Sequence, residues 1–367
     1  MRVDIRPYTP QDWESLSDFI RQHWAADHPM TRRDLFEWQY RGFSEGPGVL
    51  LLHDRQRLLG FLGLIQAEYQ VNRPRADRVR GCALAMWMVH PEFRQAGLGL
   101  ALLREAESQA SVVVCLGANA EAGRYYGRRG YRCCPALSRW VGPLHAAGYV
   151  SLCTRPSDRG MIAHWAEGLM RRAPLARVAF AADELARFWL AASRRDDRWT
   201  IQGIHRSERF WQTRYLDSVG FRYMFWGERS AGVVVARVEP VFDTPHSVLR
   251  LIELLPGRPA AWDSEADESL AELLSGVLAW AAREGCVAVD YQCAGDLLAP
   301  TLRLVGLRRQ GLPPDADAAT SLAPVFQPLR FAKPPINVYW RCPDGVDDTP
   351  WYFPKSDGDM DRPHAVR

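Results

Sequence analysis

The 367 residues leave room for two domains of about 150 residues each and a short remainder. With 47% hydrophobic and 24% charged residues the chain is too apolar to be disordered. Its 46 basic against 43 acidic residues give a net charge of +3, which excludes bulk attraction to nucleic acid or to an anionic membrane, so any anion must be held locally.

The opening, MRVDIRPYTPQDWESL, has no basic flank followed by an apolar stretch, and no signal peptide is expected. VDIRPY reads as a strand. A helix follows near Thr9-Pro10, carrying Trp13, Leu16, Phe19 and Ile20 at helical spacing. Next come an aromatic helical patch (Phe36, Trp38, Tyr40) and two apolar runs around a charged turn, GVLLLHDRQRLLGFLGLIQAEYQV, which predict a hairpin. The greasy run from Val49 to Ile65 is broken by His53, Asp54, Arg55, Gln56 and Arg57 and cannot span a membrane as a helix. A cytoplasmic protein with neither membrane nor nucleic acid as partner is the expectation.

The strand CALAMWMVH leads through PEFRQAGLG into an amphipathic helix, LALLREAESQA. The strand SVVVCLGAN then leads into a short helix, EAGRYYGRR, and a last strand pair beginning at Tyr131. This order is a mixed α/β one in which strands outnumber helices. Residues 151–174 form a helical connector, with Met161, Trp165, Leu169 and Met170 on one face.

Near Arg177 the pattern restarts. RVAFAADELARFWLAAS resembles RVDIRPYTPQDWESLSDFI, and RSERFWQTRYLDS resembles RRDLFEWQYRGFS. The hairpin YMFWGERSAGVVVARVEP echoes the earlier one, and LAWAAREGCVAVDYQCAGDLLAPTLRLVGLRR echoes LREAESQASVVVCLGANAEAGRYYGRRGYRC, so that Gly60 corresponds to Gly232 and Gly130 to Gly306. Two copies of one architecture are expected: residues 1–150, and residues 175–330 after the connector. Residues 331–367 form a Pro- and Asp-rich tail whose aromatic residues predict packing on the body. The eight cysteines (82, 115, 133, 134, 153, 286, 293 and 342) form no CxxC pair and read as reduced thiols, with no metal site expected.

The sharpest chemical signal is VHPEFRQAGLG, residues 89–99, between a strand and a helix. Gly97 and Gly99 remove side chains where backbone can approach a ligand, and the helix that begins there offers unpaired N–H groups and the positive end of its dipole. A phosphate fits such a place. Arg94 adds charge or holds the loop.

This stretch resembles the acyl-CoA pyrophosphate loop of the GCN5-related N-acetyltransferase (GNAT) superfamily, whose pattern is [QR]-x-x-G-x-[GA] after a strand ending in V-x-P. A second hallmark stands at the right distance: Asn119 ends the next strand, and YYGRRGY, holding Tyr126, is similar to the family's Y-x-x-x-G-[FY]. The resemblance implies an α/β fold in tandem form, with the first copy binding acetyl-CoA (coenzyme A) and the second degenerate. It implies that the strands bearing Met88 and Asn119 part around the pantetheine arm and that N–H groups of Gln95, Ala96, Gly97, Leu98 and Gly99 cradle the pyrophosphate. An amide near Met88 or Val89 then supports an oxyanion, and Tyr126 protonates the departing thiolate.

A general base is harder to read. At pH 7 a free lysine lies about 3.4 units below its pKa, a cost of roughly 4 to 5 kcal/mol before any amine attacks. The strand CALAMWMVH holds no carboxylate. His90 is the first candidate, with His23, His28 and Glu37 as alternatives from the acceptor side. Glu253 and Asp290 interrupt apolar strands and are either paired with arginines or facing an acceptor pocket. In the second copy the counterpart of the glycine loop reads WDSEADESLAEL, rich in carboxylates, and Leu302 stands opposite Tyr126, so one CoA site is expected.

The closing WYFPKSDGDMDRPH, with FEWQYRG and VAVDYQC, looks more loosely like two-domain N-acetyltransferases of bacterial surface-polysaccharide biosynthesis. That likeness implies a small-molecule amine acceptor, a nucleotide-linked amino sugar, with Glu37, Glu253, Asp290 and Arg362 as substrate-binding residues. Asp357, Asp359 and Asp361 then accept from sugar hydroxyls. A protein, peptide or other small amine as acceptor, CoA binding without turnover, and pairing of two chains as a homodimer all stay open.

Overall fold

The computed structural model describes residues 3–55, 57–228, 231–241, 244–257, 264–310 and 335–361. The first half runs β1 (Val3–Pro7), α1 (Trp13–His23), α2 (Arg33–Tyr40), β2 (Val49–Asp54), β3 (Arg57–Arg73), β4 (Arg75–Val89), α3 (Leu98–Gln109), β5 (Val112–Leu116), α4 (Ala120–Arg128), β6 (Arg132–Cys134) and β7 (Ser138–Pro143). Two helices follow, α5 (Ala146–Ser151) and α6 (Arg159–Leu169). The second half runs α7 (Ala182–Ser193), a small hairpin of β8 (Arg194–Arg195) and β9 (Arg198–Trp199), β10 (Gln202–Ile204), α8 (Glu208–Trp211), β11 (Met224–Glu228), β12 (Gly232–Pro240) and β13 (Ser247–Pro256). It closes with α9 (Ser264–Arg283), β14 (Cys286–Cys293), α10 (Ala299–Val305), β15 (Arg308–Arg309), β16 (Val338–Arg341) and β17 (Trp351–Tyr352).

Local chemistry sets many of these boundaries. At the start of α1, Thr9 and Asp12 form a capping box over the preceding turn, and the helix buries Trp13, Leu16, Phe19 and Ile20 as its spacing requires. Asn119 caps α4 by accepting from the Ala122 N–H at 2.8 Å. Gly130 after α4 and Gly306 after α10 both take left-handed φ, +75° and +97°, as helix-ending glycines do.

Two mixed sheets carry the fold, with parallel and antiparallel pairs in each. The first has the order β1-β2-β3-β4-β5-β16-β6 and the second β11-β12-β13-β14-β7-β15. Three antiparallel pairs in the first sheet and two in the second lead to one parallel pair bridged by a helix, β4 with β5 through α3 and β13 with β14 through α9. Gly60 on β3 faces Val89 at the end of β4, and Gly232 on β12 faces Pro256 at the end of β13. In the second position a Cβ would strike the Leu255 carbonyl, and in the first it would come within 2.6 Å of the Met88 carbonyl.

The strand pair expected after Tyr131 does not form. Instead β6 stays in the first sheet while β7 crosses to the second, between β14 and β15. Its vacated place beside β5 is taken by β16, from the far end of the chain. Residues 1–150 therefore do not close a sheet by themselves. The remaining tail runs inward: Pro354 bridges to Cys293, and residues 352–361 are all buried. Among the described residues no helix is long and apolar enough to cross a membrane.

Candidate active site

Pairing between β4 and β5 stops at Leu84 with Cys115. Just beyond, β4 bulges against β3: Phe61 faces Met88 and Gly63 faces Ala85, and Met86 takes φ +44°, a backbone angle uncommon outside glycine. The bulge turns Ala85–Val89 away from β5, so that among the described residues this edge of the strand has no strand partner. Between the parted strands lies a cleft of about 420 Å³, lined by His23 and Trp24, by Trp87, Met88 and Val89, by Arg94, Gly97, Gly99 and Leu100, and by Asn119, Glu121, Ala122 and Tyr125.

The glycine loop forms one wall. Pro91–Ala96 wind into a 3-10 turn, Gly97 follows at φ +74°, and α3 starts at Leu98. A Cβ on Gly97 would meet open space, so this glycine is set by its backbone angle. Gly99 is set by packing: a Cβ there would press within 3.3 Å of the Trp87 indole. Leu98 is buried and can offer only its backbone, whereas Ala96 is exposed. Arg94 lines the cleft with its Nε turned to the Val89 carbonyl at 3.5 Å. The first-turn N–H groups of α3 have no helical acceptor and open on the same cleft. An unpaired strand edge running toward a helix N-terminus fits an elongated, amide-bearing ligand that ends in a diphosphate.

Across the cleft Asn119 lines the wall while its side chain caps α4. Tyr125, 37% exposed, lies on that wall, and Tyr126, 1% exposed, does not. The Tyr126 ring packs beneath Trp87 and against Tyr131 and Tyr339, at centroid distances of 6.2, 4.9 and 5.3 Å. Its hydroxyl lies beside the Cys115 thiol, and burial pushes its pKa well above the ordinary tyrosine value.

His90 is positioned otherwise than a free base requires. Its Nδ1 accepts from the Glu92 N–H at 3.3 Å and its Nε2 lies 2.9 Å from an Arg57 nitrogen, so both ring nitrogens face N–H donors. His23, the last residue of α1, does line the cleft, and its ring lies 4.5 Å from that of His90. Burial lowers its pKa, helped by His90, Arg57 and Arg94. His28 is buried and caps the turn at Pro29 through Met30 N–H.

The expected acceptor residues do not converge on the cleft. Glu37 is exposed and pairs with Arg33 one turn earlier, at 2.7 Å. Glu253 is fully buried, held by Arg206 at 3.1 Å and by the hydroxyls of Tyr215 and Tyr352 at 2.8 and 2.9 Å. Asp290 is buried between Arg139 and Arg250, at 3.2 and 3.3 Å. The tail aspartates are buried too. Asp361 takes two bonds from Arg237, at 2.7 and 2.8 Å, and Asp357 bonds Arg206 at 2.6 Å. Burial pushes Asp357 up to about 8 despite that arginine. Desolvation forces such pairing, and the carboxylates that interrupt apolar strands answer to arginines, not to a ligand. Arg362 lies outside the described residues. Trp24, Trp87, Glu121 and Tyr125 were not singled out from sequence. Trp87 carried the one available signal, as the sole aromatic residue of CALAMWMVH.

The second sheet opens in the same manner but is filled. Pairing of β13 with β14 ends at Arg250 with Asp290, and Lys355 and Ser356 sit where those strands part, leaving a void of about 10 Å³. Residues 258–263, which include the start of WDSEADESLAEL, lie outside the described residues.

Residues 13–131 match the family model described as the acetyltransferase (GNAT) family. No curated protein sequence matches the chain. A GCN5-related N-acetyltransferase from Anabaena variabilis ATCC 29413 is similar in structure, with a TM-score of 0.52, 16% identity and coverage of 84% of this chain and 71% of that one. A probable N-acyltransferase of unknown function from Enterococcus faecalis V583 has a TM-score of 0.54, 11% identity and coverage of 84% and 70%. At these identities the likeness is one of fold.

Proposed function

We propose that the chain is an acyl-CoA-dependent N-acyltransferase of the GNAT type, acetylating a primary amine, with its one cofactor site in the first half. The observation that carries this reading is the coincidence of three features on one cleft: the bulged, unpaired edge of β4, the Gly97 turn and the N-terminus of α3.

When bound, acetyl-CoA supplies an acyl group activated as a thioester. The chain's own groups do the rest. The free edge of Ala85–Val89 holds an amide-bearing arm as an added strand would be held. The N–H groups of residues 95–99 bind the diphosphate, with Arg94 adding charge. An amide near Met88 or Val89 bonds the developing oxyanion. Tyr126, kept protonated by burial, holds a proton at its hydroxyl beside Cys115, where the strands part, and delivers it to the departing thiolate.

The second half reads as a degenerate copy with the same strand order, whose cleft the tail fills. The acceptor proposed is a nucleotide-linked amino sugar of surface-polysaccharide biosynthesis. What supports an anionic acceptor is the charge at the cleft: Arg94 lines it and Arg57 lies behind His90, while Glu121 is the one carboxylate among the described lining residues. The test is thiol release from acetyl-CoA with UDP-glucosamine, with a lysine-containing peptide and with no acceptor. Turnover with the sugar nucleotide supports the reading, turnover with the peptide alone shifts the acceptor class, and CoA binding without turnover on either removes the catalytic reading.

A further inference from the structure

Resting on that reading, we infer that His23, and not His90, is the group that takes the proton from the attacking amine. Two imidazoles lie in contact near the end of β4, of which only His23 is among the described residues lining the cleft, and the structure separates them further by what their nitrogens face. Both nitrogens of His90 meet N–H donors, from Glu92 and from Arg57, so its lone pair is not turned to the cleft. His23 stands on the cleft wall beside Met88 and Val89, held edge-on by the rings of Phe19 and His90 at 4.6 and 4.5 Å. Among the described residues neither of its nitrogens has a hydrogen-bond partner. The imidazole is thus fixed in orientation by packing and left with its proton-accepting nitrogen unclaimed, which is what a general base requires before substrate arrives.

The carboxylate alternatives are weaker. Glu121 lies in the first turn of α4, next to Asn119 and across the cleft from Met88. Glu37 is exposed and paired with Arg33. The charged and titratable groups facing His23 are His90 following β4, Arg57 opening β3, and Arg94 and Glu92 in the intervening turn; burial first, then His90, Arg57 and Arg94, lower its pKa against the opposing Glu92, which favours the neutral ring. A neutral base is then available without prior deprotonation.

The experiment compares wild type, His23→Gln and His90→Gln in the full chain, with acetyl-CoA and UDP-glucosamine, as kcat/KM against pH, and measures CoA binding by calorimetry in parallel. The expected result is a fall of thirtyfold or more in His23→Gln, loss of the acid limb below about pH 6.5, and unchanged CoA affinity, with His90→Gln retaining that limb. An acid limb that survives in His23→Gln, or that disappears only in His90→Gln, overturns the assignment. If wild type binds CoA but does not acetylate this sugar, the histidine ring signals are titrated by NMR with and without CoA. His23 titrating below 6.5 and shifting on CoA addition upholds its place as the free imidazole of the cleft, while a His23 signal blind to CoA overturns it. Failure of wild type to bind CoA at all is a separate outcome and defeats the cofactor reading as well.

Discussion

Cys115 pairs with Leu84 in the last rung between β4 and β5, and the Tyr126 hydroxyl lies beside the same cysteine's thiol. The phenol is therefore tied to the point where the two strands separate. Tyr125, its neighbour, occupies the open wall instead.

This arrangement predicts that Tyr126→Phe lowers turnover tenfold or more, on the order of the ~10²-fold contribution of a positioned acid, and leaves CoA affinity unchanged. Tyr125→Phe, on an exposed ring, changes turnover by no more than about threefold. Steady-state kinetics of the two variants side by side, with CoA titration of each, makes the distinction.

Gly97→Glu abolishes CoA binding and leaves the protein folded. A Cβ at 97 meets no neighbour, so the folding cost is confined to the left-handed backbone, about 1 kcal/mol, while the carboxylate stands where a diphosphate binds. Gly97→Ala carries the same strain without the charge and retains most of its affinity. Calorimetric titration together with thermal melting separates the two effects, and tight binding by the glutamate variant removes the loop assignment.

The tail is an integral part of the second sheet's interior. Asp361 lies among Arg237, Arg214 and Arg250, and although burial opposes it, those arginines hold its carboxyl well below the usual carboxylate range. Asp361→Ala strands buried guanidinium charge and is expected to cost about 3 to 5 kcal/mol in unfolding free energy. Urea denaturation of the variant checks this; an effect under about 1 kcal/mol contradicts the buried network.

His205 makes stability pH-dependent. It is buried at the junction where β10 joins β3, and burial, with Arg78 and Arg206, lowers its pKa from 6.5 to about 4. Below 6.5 the unfolded chain binds a proton that the folded chain refuses, so His205 weakens folding progressively from pH 6.5 to about 4, by about 3 kcal/mol in full, and no further below that. Unfolding midpoints over this window should fall less steeply in His205→Gln than in wild type.

The sequence alone determined the parts that local chemistry governs. The strand-turn-helix at 89–99, the amphipathic α1 opening near Thr9-Pro10 and the first hairpin were legible because each depends on neighbours within a few residues: a glycine turn, a helix-opening dipeptide, a 3.6-residue period. Gly60 and Gly232 each face the end of the neighbouring strand, and Gly130 and Gly306 each follow a helix with positive φ. Only the tertiary structure decided the rest. Nothing within residues 131–143 says that β6 and β7 belong to different sheets, or that β16, some two hundred residues later, stands beside β5; strand partners are chosen by long-range packing, and apolar alternation reads alike whichever sheet receives it. The same holds for charge. Glu253, Asp290 and Asp361 carry no mark of their partners, and the desolvation cost that binds them to Arg206, Arg139, Arg250 and Arg237 exists only once tertiary packing has buried these groups together.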